Sequence, residues 1–201
     1  MSKIKLCGLS RKCDIEWANE LHPEYIGFVF APKSRRYVSV DTAAELKAML
    51  SEDIKAVGVF VNSPIESVAY ILSRGIIDIA QLHGSEDEEY ISQLSKLTDK
   101  PIIKAFSINS AADVSAANNS SADMVLLDSG QGGTGTNFDW KLLGNINRPY
   151  FLAGGLCCEN ISQAITALDP YAVDVSSGIE TNGCKDKNKM AAFVAAVRKE
   201  I

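Results

Sequence analysis

Strand-like and helix-like periods alternate eight times along this chain, and that repetition limits the fold more than any other feature. Apolar or alternating runs begin near Lys3, Tyr25, Lys55, Ile77, Pro101, Asp123, Pro149 and Ala172, and a helix-period stretch follows each. Their spacing of roughly 22 to 30 residues suits eight short βα units, near the lower length limit of about 200 residues for a closed barrel. A doubly wound open sheet competes, because alternation alone does not prove closure. With 201 residues, 46% of them hydrophobic, the chain can bury one large core. The expectation is an α/β protein in a single domain spanning residues 1–201, a (β/α)8 barrel of the TIM type.

Helix boundaries are marked by capping residues. Ser10 is expected to open the first helix, Asp41 or Thr42 the second, and Ser63-Pro64 the third, with proline at the first helical position. Ser85 with the acidic run Asp87 to Glu89 starts the fourth, and Asn109-Ser110 an alanine-rich fifth. The last helix, Asp186 to Ile201, carries the apolar stripe Met190, Phe193, Val194, Val197.

A barrel presents its functional groups where strands end at their carboxyl side. The stretch from Asp123 to Trp140 is the most telling. Met124 to Leu127 is an apolar run fit for a buried strand, it stops at Asp128, and glycines 130, 132, 133 and 135 follow before Asn137, a good helix cap. A carboxylate thus stands where a strand surfaces, beside a loop able to fold over a ligand. Asp and Gly are also ordinary turn formers, so the stretch alone does not decide between the two readings.

The other strand ends are polar as well. Cys7 ends the first strand with Lys5 and Lys3 on the same face, since side chains two apart point the same way. Free cysteine is as often a small buried hydrophobe as a reactive group; beside a cation or a helix start its pKa falls and it becomes a usable base. Closure would make the first and eighth strands neighbours, which predicts an interior ion pair between Lys5 and Asp174. Gly154 with Gly155 after the seventh strand, and Ser177 with Gly178 after the eighth, suit a phosphate held by backbone N–H groups. Arg36 offers planar, bidentate recognition of a carboxylate, whereas Arg35 is expected to face solvent. His83 reads as a proton carrier or a hydrogen-bonding wall residue; with one histidine there, no metal site is expected.

Composition narrows the partners. A net charge of −5 provides no field to attract nucleic acid or an anionic membrane, so any anion must be bound locally. Five cysteines without paired CxxC spacing suggest neither a disulfide framework nor zinc, and point to a reducing cytoplasm. No segment approaches the ~20 apolar residues of a membrane span. Oligomeric state is not written in the sequence, because outer apolar helix faces look the same as core faces.

Together the motifs resemble the phosphoribosylanthranilate isomerase family of the tryptophan pathway over essentially the full length. They are Lys5-Leu-Cys-Gly8, Gly27-Phe-Val-Phe30 with Ser34-Arg-Arg36, Gln81-Leu-His-Gly84, Leu127-Asp128 with Gly132-Gly-Thr-Gly135 and Phe138-Asp-Trp140, Leu152-Ala-Gly-Gly155, and Val173-Asp-Val-Ser-Ser-Gly-Ile-Glu180. The resemblance implies an Amadori rearrangement of a phosphorylated small-molecule substrate, with no cofactor. It implies Asp128 as general acid, Cys7 as general base, Arg36 on the anthranilate carboxylate, and the last two glycine-bearing loops on the phosphate. Two positions depart from the family pattern: Thr136-Asn137 after Gly135, and Cys157-Cys158 where a stronger cap is usual, which predicts a less crisp seventh helix. Rival readings are another reaction on a related phosphate-binding barrel, such as a carbon–carbon lyase or the histidine-pathway isomerase, and a non-catalytic phosphosugar binder. Cys7 argues against the histidine-pathway enzyme, for which two aspartates are expected.

Overall fold

The computed structural model describes residues 2–128 and 140–199. Its centre is a closed barrel of eight parallel strands paired in chain order: β1 (Lys3–Cys7), β2 (Tyr25–Val29), β3 (Lys55–Phe60), β4 (Ile79–Leu82), β5 (Ile102–Ser107), β6 (Met124–Asp128), β7 (Tyr150–Ala153) and β8 (Ala172–Val175). The open-sheet alternative is thereby excluded. β4 begins two residues later than the apolar run suggests, and β5 begins after Pro101, which has no N–H to contribute to a ladder.

Seven α-helices clothe the strands among the described residues: α1 (Lys12–Leu21), α2 (Val40–Met49), α3 (Ile65–Ser73), α4 (Glu88–Ser95), α5 (Ala111–Asn119), α6 (Ile161–Leu168) and α7 (Lys187–Arg198). In the sixth unit the described residues hold a 3-10 segment, Trp140–Asn145, in place of the expected α-helix. The glycine-rich loop after Asp128, with Thr136 and Asn137, lies outside the described residues.

Local chemistry explains most helix starts. Ser39 accepts from Thr42 N and Asp87 from Tyr90 N, while Ser110 and Asp113 form a capping box. At α1 the cap position falls on Arg11 instead of Ser10, because Asp14 accepts both Ser10 N and Arg11 N at 3.0 Å and pairs with the Arg11 guanidinium. Pro64 sits in the cap position of α3, one place before the first turn. α6 has no side-chain cap: Asn160 turns back to accept from Cys157 N at 2.9 Å, in line with the weak signal of Cys157-Cys158.

Strand periodicity divides the core in two. One set of side chains packs between strands and helices, including Ile4, Leu6, Phe28 and Phe60, and the expected α7 stripe Met190, Phe193, Val194, Val197 belongs to it. The alternate set fills the barrel interior with Tyr25, Val57, Ile79, Ile103, Leu126, Phe151 and Ala172. Because side chains two apart share a face, these interior residues determine what surfaces above them at the carboxyl end. Leu126 leads to Asp128, Ile79 to Gln81, and Phe151 to Ala153. Ala172 leads to Asp174.

Closure sets β1 beside β8 with Lys5 opposite Asp174, and their charged atoms meet at 2.9 Å as expected. Lys5 is fully buried, and the Asp174 side chain is only 9% exposed. Burial alone would lower the Lys5 pKa, yet Asp174 and Cys7 together hold it above the ordinary lysine value. A feature missed by the strand–helix alternation follows β8: a 3-10 turn, Ser177–Ile179, then an antiparallel hairpin of β9 (Glu180–Thr181) and β10 (Cys184–Lys185). Its turn places Asn182 and Gly183 at φ of 53° and 81°, the geometry that the dipeptide Asn-Gly favours. No helix among the described residues is long and apolar enough to cross a membrane.

Removing Lys5 strands a carboxylate in the barrel wall. Lys5→Met is expected to lower stability by about 3 kcal/mol in chemical denaturation, and pairing it with Asp174→Leu should recover much of the loss. An unchanged denaturation midpoint for the single variant would show that the pair carries no such weight.

Candidate active site

At the carboxyl end of the strands lies a cavity of about 310 Å³ that gathers most of the predicted site residues. Cys7 from β1 and Asp128 from β6 both line it, with β7 and β8 between them around the ring. Arg36 and His83 border it as well, as do Gly154, Gly155 and Ser177. Residues from seven of the eight units thus reach one mouth, because each strand surfaces there.

Cys7 is 7% exposed and packs with Val29 and Val59. Gly27, its partner across β2, leaves the space the thiol fills: a β-carbon there would meet Cys7 Sγ at 2.7 Å. The thiol was expected to be acidified by Lys5, and this is corrected. Burial pushes the Cys7 thiol above its ordinary value, and although Lys5 and Lys185 pull it down, Asp174 adds to the rise. The Lys5 charge is already committed to Asp174, so the thiol feels a nearly neutral pair in a dry setting.

Asp128 sits at the end of β6, its carboxylate Oδ2 3.6 Å from His83 Nε2, and its side chain is 27% exposed. His83 Nδ1 in turn meets the Gln81 amide nitrogen at 2.8 Å. An amide nitrogen only donates, so Nδ1 accepts and the ring presents Nε2–H toward Asp128.

The loops after β7 and β8 are built by close approach of backbone. Gly154 and Gly155 take φ of 96° and 62°, a turn that side chains with a β-carbon rarely adopt. Gly178 does not line the cavity. It packs behind the wall, where a β-carbon would collide with the Leu156 carbonyl, so it seats the β8 loop against the β7 loop. Ser177 begins the 3-10 turn that follows β8.

Arg36 arrives already partnered. Its Nε and Nη2 donate to the two oxygens of Glu180 at 2.6 and 3.0 Å, and Arg35, expected to face solvent, is 60% exposed along its side chain yet reaches Glu180 at 2.7 Å. Burial would lift the Glu180 carboxyl, but Arg36 and Lys185 hold it down to about 2. Glu180 and Lys185 were not singled out from the sequence; the signal that could have drawn attention to them is the hairpin dipeptide Asn182-Gly183 between them.

Comparison with known proteins agrees with this geometry. The family model described as N-(5'-phosphoribosyl)anthranilate isomerase matches residues 4–196. The N-(5'-phosphoribosyl)anthranilate isomerase of Thermoanaerobacter pseudethanolicus is 44% identical, with 98% of each chain covered. The crystal structure of phosphoribosyl anthranilate isomerase from Thermotoga maritima superposes with a TM-score of 0.91 at 34% identity, covering 99% of this chain and 100% of that one. A further isomerase structure, solved with reduced 1-(o-carboxyphenylamino)-1-deoxyribulose 5-phosphate, superposes with a TM-score of 0.88 at 33% identity over 99% of this chain and 100% of that one. A match along nearly every residue, in sequence and in three dimensions, leaves one conclusion: this chain belongs to the N-(5'-phosphoribosyl)anthranilate isomerase family.

Proposed function

We propose that this chain catalyses the Amadori rearrangement of N-(5-phosphoribosyl)anthranilate to 1-(2-carboxyphenylamino)-1-deoxyribulose 5-phosphate by cofactor-free acid–base catalysis, in one catalytic domain spanning residues 1–201. Asp128 is the general acid and Cys7 the general base. Arg36 engages the anthranilate carboxylate, the Gly154-Gly155 and Ser177-Gly178 loops hold the phosphate, and His83 forms the cavity wall next to the acid. The five unpaired thiols favour a reducing compartment, and we place the enzyme in the cytoplasm.

The reading rests on one observation above all: a carboxyl group and a thiol, 121 positions apart in the chain, border a single cavity beside two glycine-bearing loops. In the first step Asp128 gives a proton to the ribose ring oxygen. The C1′–O bond breaks as the anilino nitrogen lone pair forms the Schiff base. Cys7 then takes the C2′ proton, the C–H electrons form the C1′–C2′ double bond of an enolamine, and tautomerisation delivers the C2′ ketone. Acid and base must hold opposite protonation states at once, which asks for two different surroundings. The two groups do sit in different surroundings, Cys7 in the packed interior and Asp128 at the more open rim, and burial favours the protonated thiol at rest.

Loss of either group removes a step worth about 10²- to 10⁴-fold. Cys7→Ser and Asp128→Asn are each expected to lower kcat by that order while circular dichroism stays unchanged; near-normal turnover in either purified variant rejects that residue's role. Arg36→Met should raise KM more than it lowers kcat, and an unaltered KM would remove the carboxylate contact. Because Cys7 is shifted upward, its alkylation by iodoacetamide, which reads the thiolate directly, should be slow near neutrality and accelerate with pH through the alkaline range, followed by peptide mass spectrometry. A Cys7 alkylation rate already at its plateau by pH ~7 would be incompatible with an upward-shifted thiol.

A further inference from the structure

Glu180 takes no part in the acid–base steps, yet three cationic side chains converge on its carboxylate. Its side chain is 4% exposed. Its oxygens accept from Arg36 Nε at 2.6 Å, Arg36 Nη2 at 3.0 Å, Arg35 Nη2 at 2.7 Å and Lys185 Nζ at 2.7 Å. The hairpin register sets Lys185 directly opposite Glu180. Lys185 also donates to Ser176 O at 2.9 Å, and Ser176 Oγ donates to Cys7 O at 3.1 Å. The hairpin therefore ties the ends of β8 and β1 to the loop after β2 in one hydrogen-bonded unit.

We propose that Glu180 is a positioning residue for substrate selection: it grips Arg36 along its side-on edge and so presents the opposite edge as a preformed clamp for the aromatic carboxylate. A guanidinium carries five N–H donors in one rigid plane. Glu180 engages the Nε–H and one Nη2–H. The end-on pair, Nη1 and the second Nη2–H, stays spaced for another carboxylate beside the cavity that Arg36 lines. Gly8 completes the seat, since a β-carbon there would collide with Arg36 Cδ; the arginine stem lies against bare backbone.

Two physical consequences favour such a clamp. An arginine already held in place does not surrender its rotamer freedom when ligand binds, so less of the contact energy is lost to ordering. Moreover, Arg35, Arg36 and Lys185 share one carboxylate, which leaves the cluster net positive. A second carboxylate joins it with the help of that field, in a protein whose overall charge is −5. The inference deepens the proposed function, because it depends on Arg36 meeting the substrate carboxylate.

The test is equilibrium binding of two ligands, reduced 1-(o-carboxyphenylamino)-1-deoxyribulose 5-phosphate and its counterpart lacking the carboxyl group. Glu180→Gln removes the charge; Glu180→Asp keeps it, preserving the balance with buried Lys185, but withdraws it from Arg36. Both variants are expected to weaken the carboxylated ligand roughly three- to tenfold, the cost of ordering one long side chain, and to weaken the other ligand far less. In turnover, KM should rise more than kcat falls. Equal weakening of both ligands, or none for the carboxylated one, overturns the proposal. Arg36→Met, measured alongside, separates the two levels: if it also fails to discriminate between the ligands, the carboxylate contact falls and this inference with it. If Arg36→Met discriminates and the Glu180 variants do not, only the positioning role is lost.

Discussion

Pairing of β1 with β8 is the constraint from which the rest of the molecule follows. Without it the alternating units would form an open sheet with a β1 edge and a β8 edge, and the terminal strands would lie far apart. With it, Lys3 to Leu6 run in register with Ala172 to Val175, and one face of every strand is sealed from the helices. A sealed interior has to be filled, and Tyr25, Phe151 and Tyr171 pack edge-on near its amino end, with ring centroids 5.3 and 5.8 Å apart. The same closure makes an ion pair of two residues 169 positions apart. Lys5 is tolerated in a dry barrel only because Asp174 stands opposite.

Period-two geometry converts that filled interior into a site. Each inward residue commits the residue two places on to the mouth of the barrel, so Leu126 aims Asp128 and the buried Lys5 aims Cys7. Electrostatics at the mouth is local and does not follow the acidic composition. Glu180 is surrounded by cations, while Asp174 neutralises Lys5 before that charge can act fully on Cys7. The proposed base is consequently a resting thiol in a packed setting, next to a region that welcomes anions.

Several elements were legible because their causes are short-range. Strand starts at Lys3, Tyr25, Lys55 and Ala172 fall where the apolar runs begin; at α5 Asp113 accepts the Ser110 amide and hydroxyl, and at α7 the Asp186 side chain accepts two nearby amides. Errors of one or two positions arose where a neighbour outcompeted the obvious cap, as when Asp14 drew the start of α1 past Ser10. The hairpin after β8 was overlooked because it interrupts a periodic pattern with only two residues per strand, although Asn182-Gly183 marks its turn.

What the sequence by itself determined is the inventory and its order: eight strand-like runs, a reactive or ionisable residue at many of their ends, and glycines where backbone must come close. Those follow from side-chain type and spacing, which act over a few residues. Only the tertiary structure decided which of these groups share surroundings. That Arg36 is held by Glu180, that Gly178 supports the cavity wall from behind, and that burial outweighs Lys5 at Cys7 are all results of contacts between distant segments. Dielectric surroundings and charge pairing belong to the packed molecule, and no local stretch of residues specifies them.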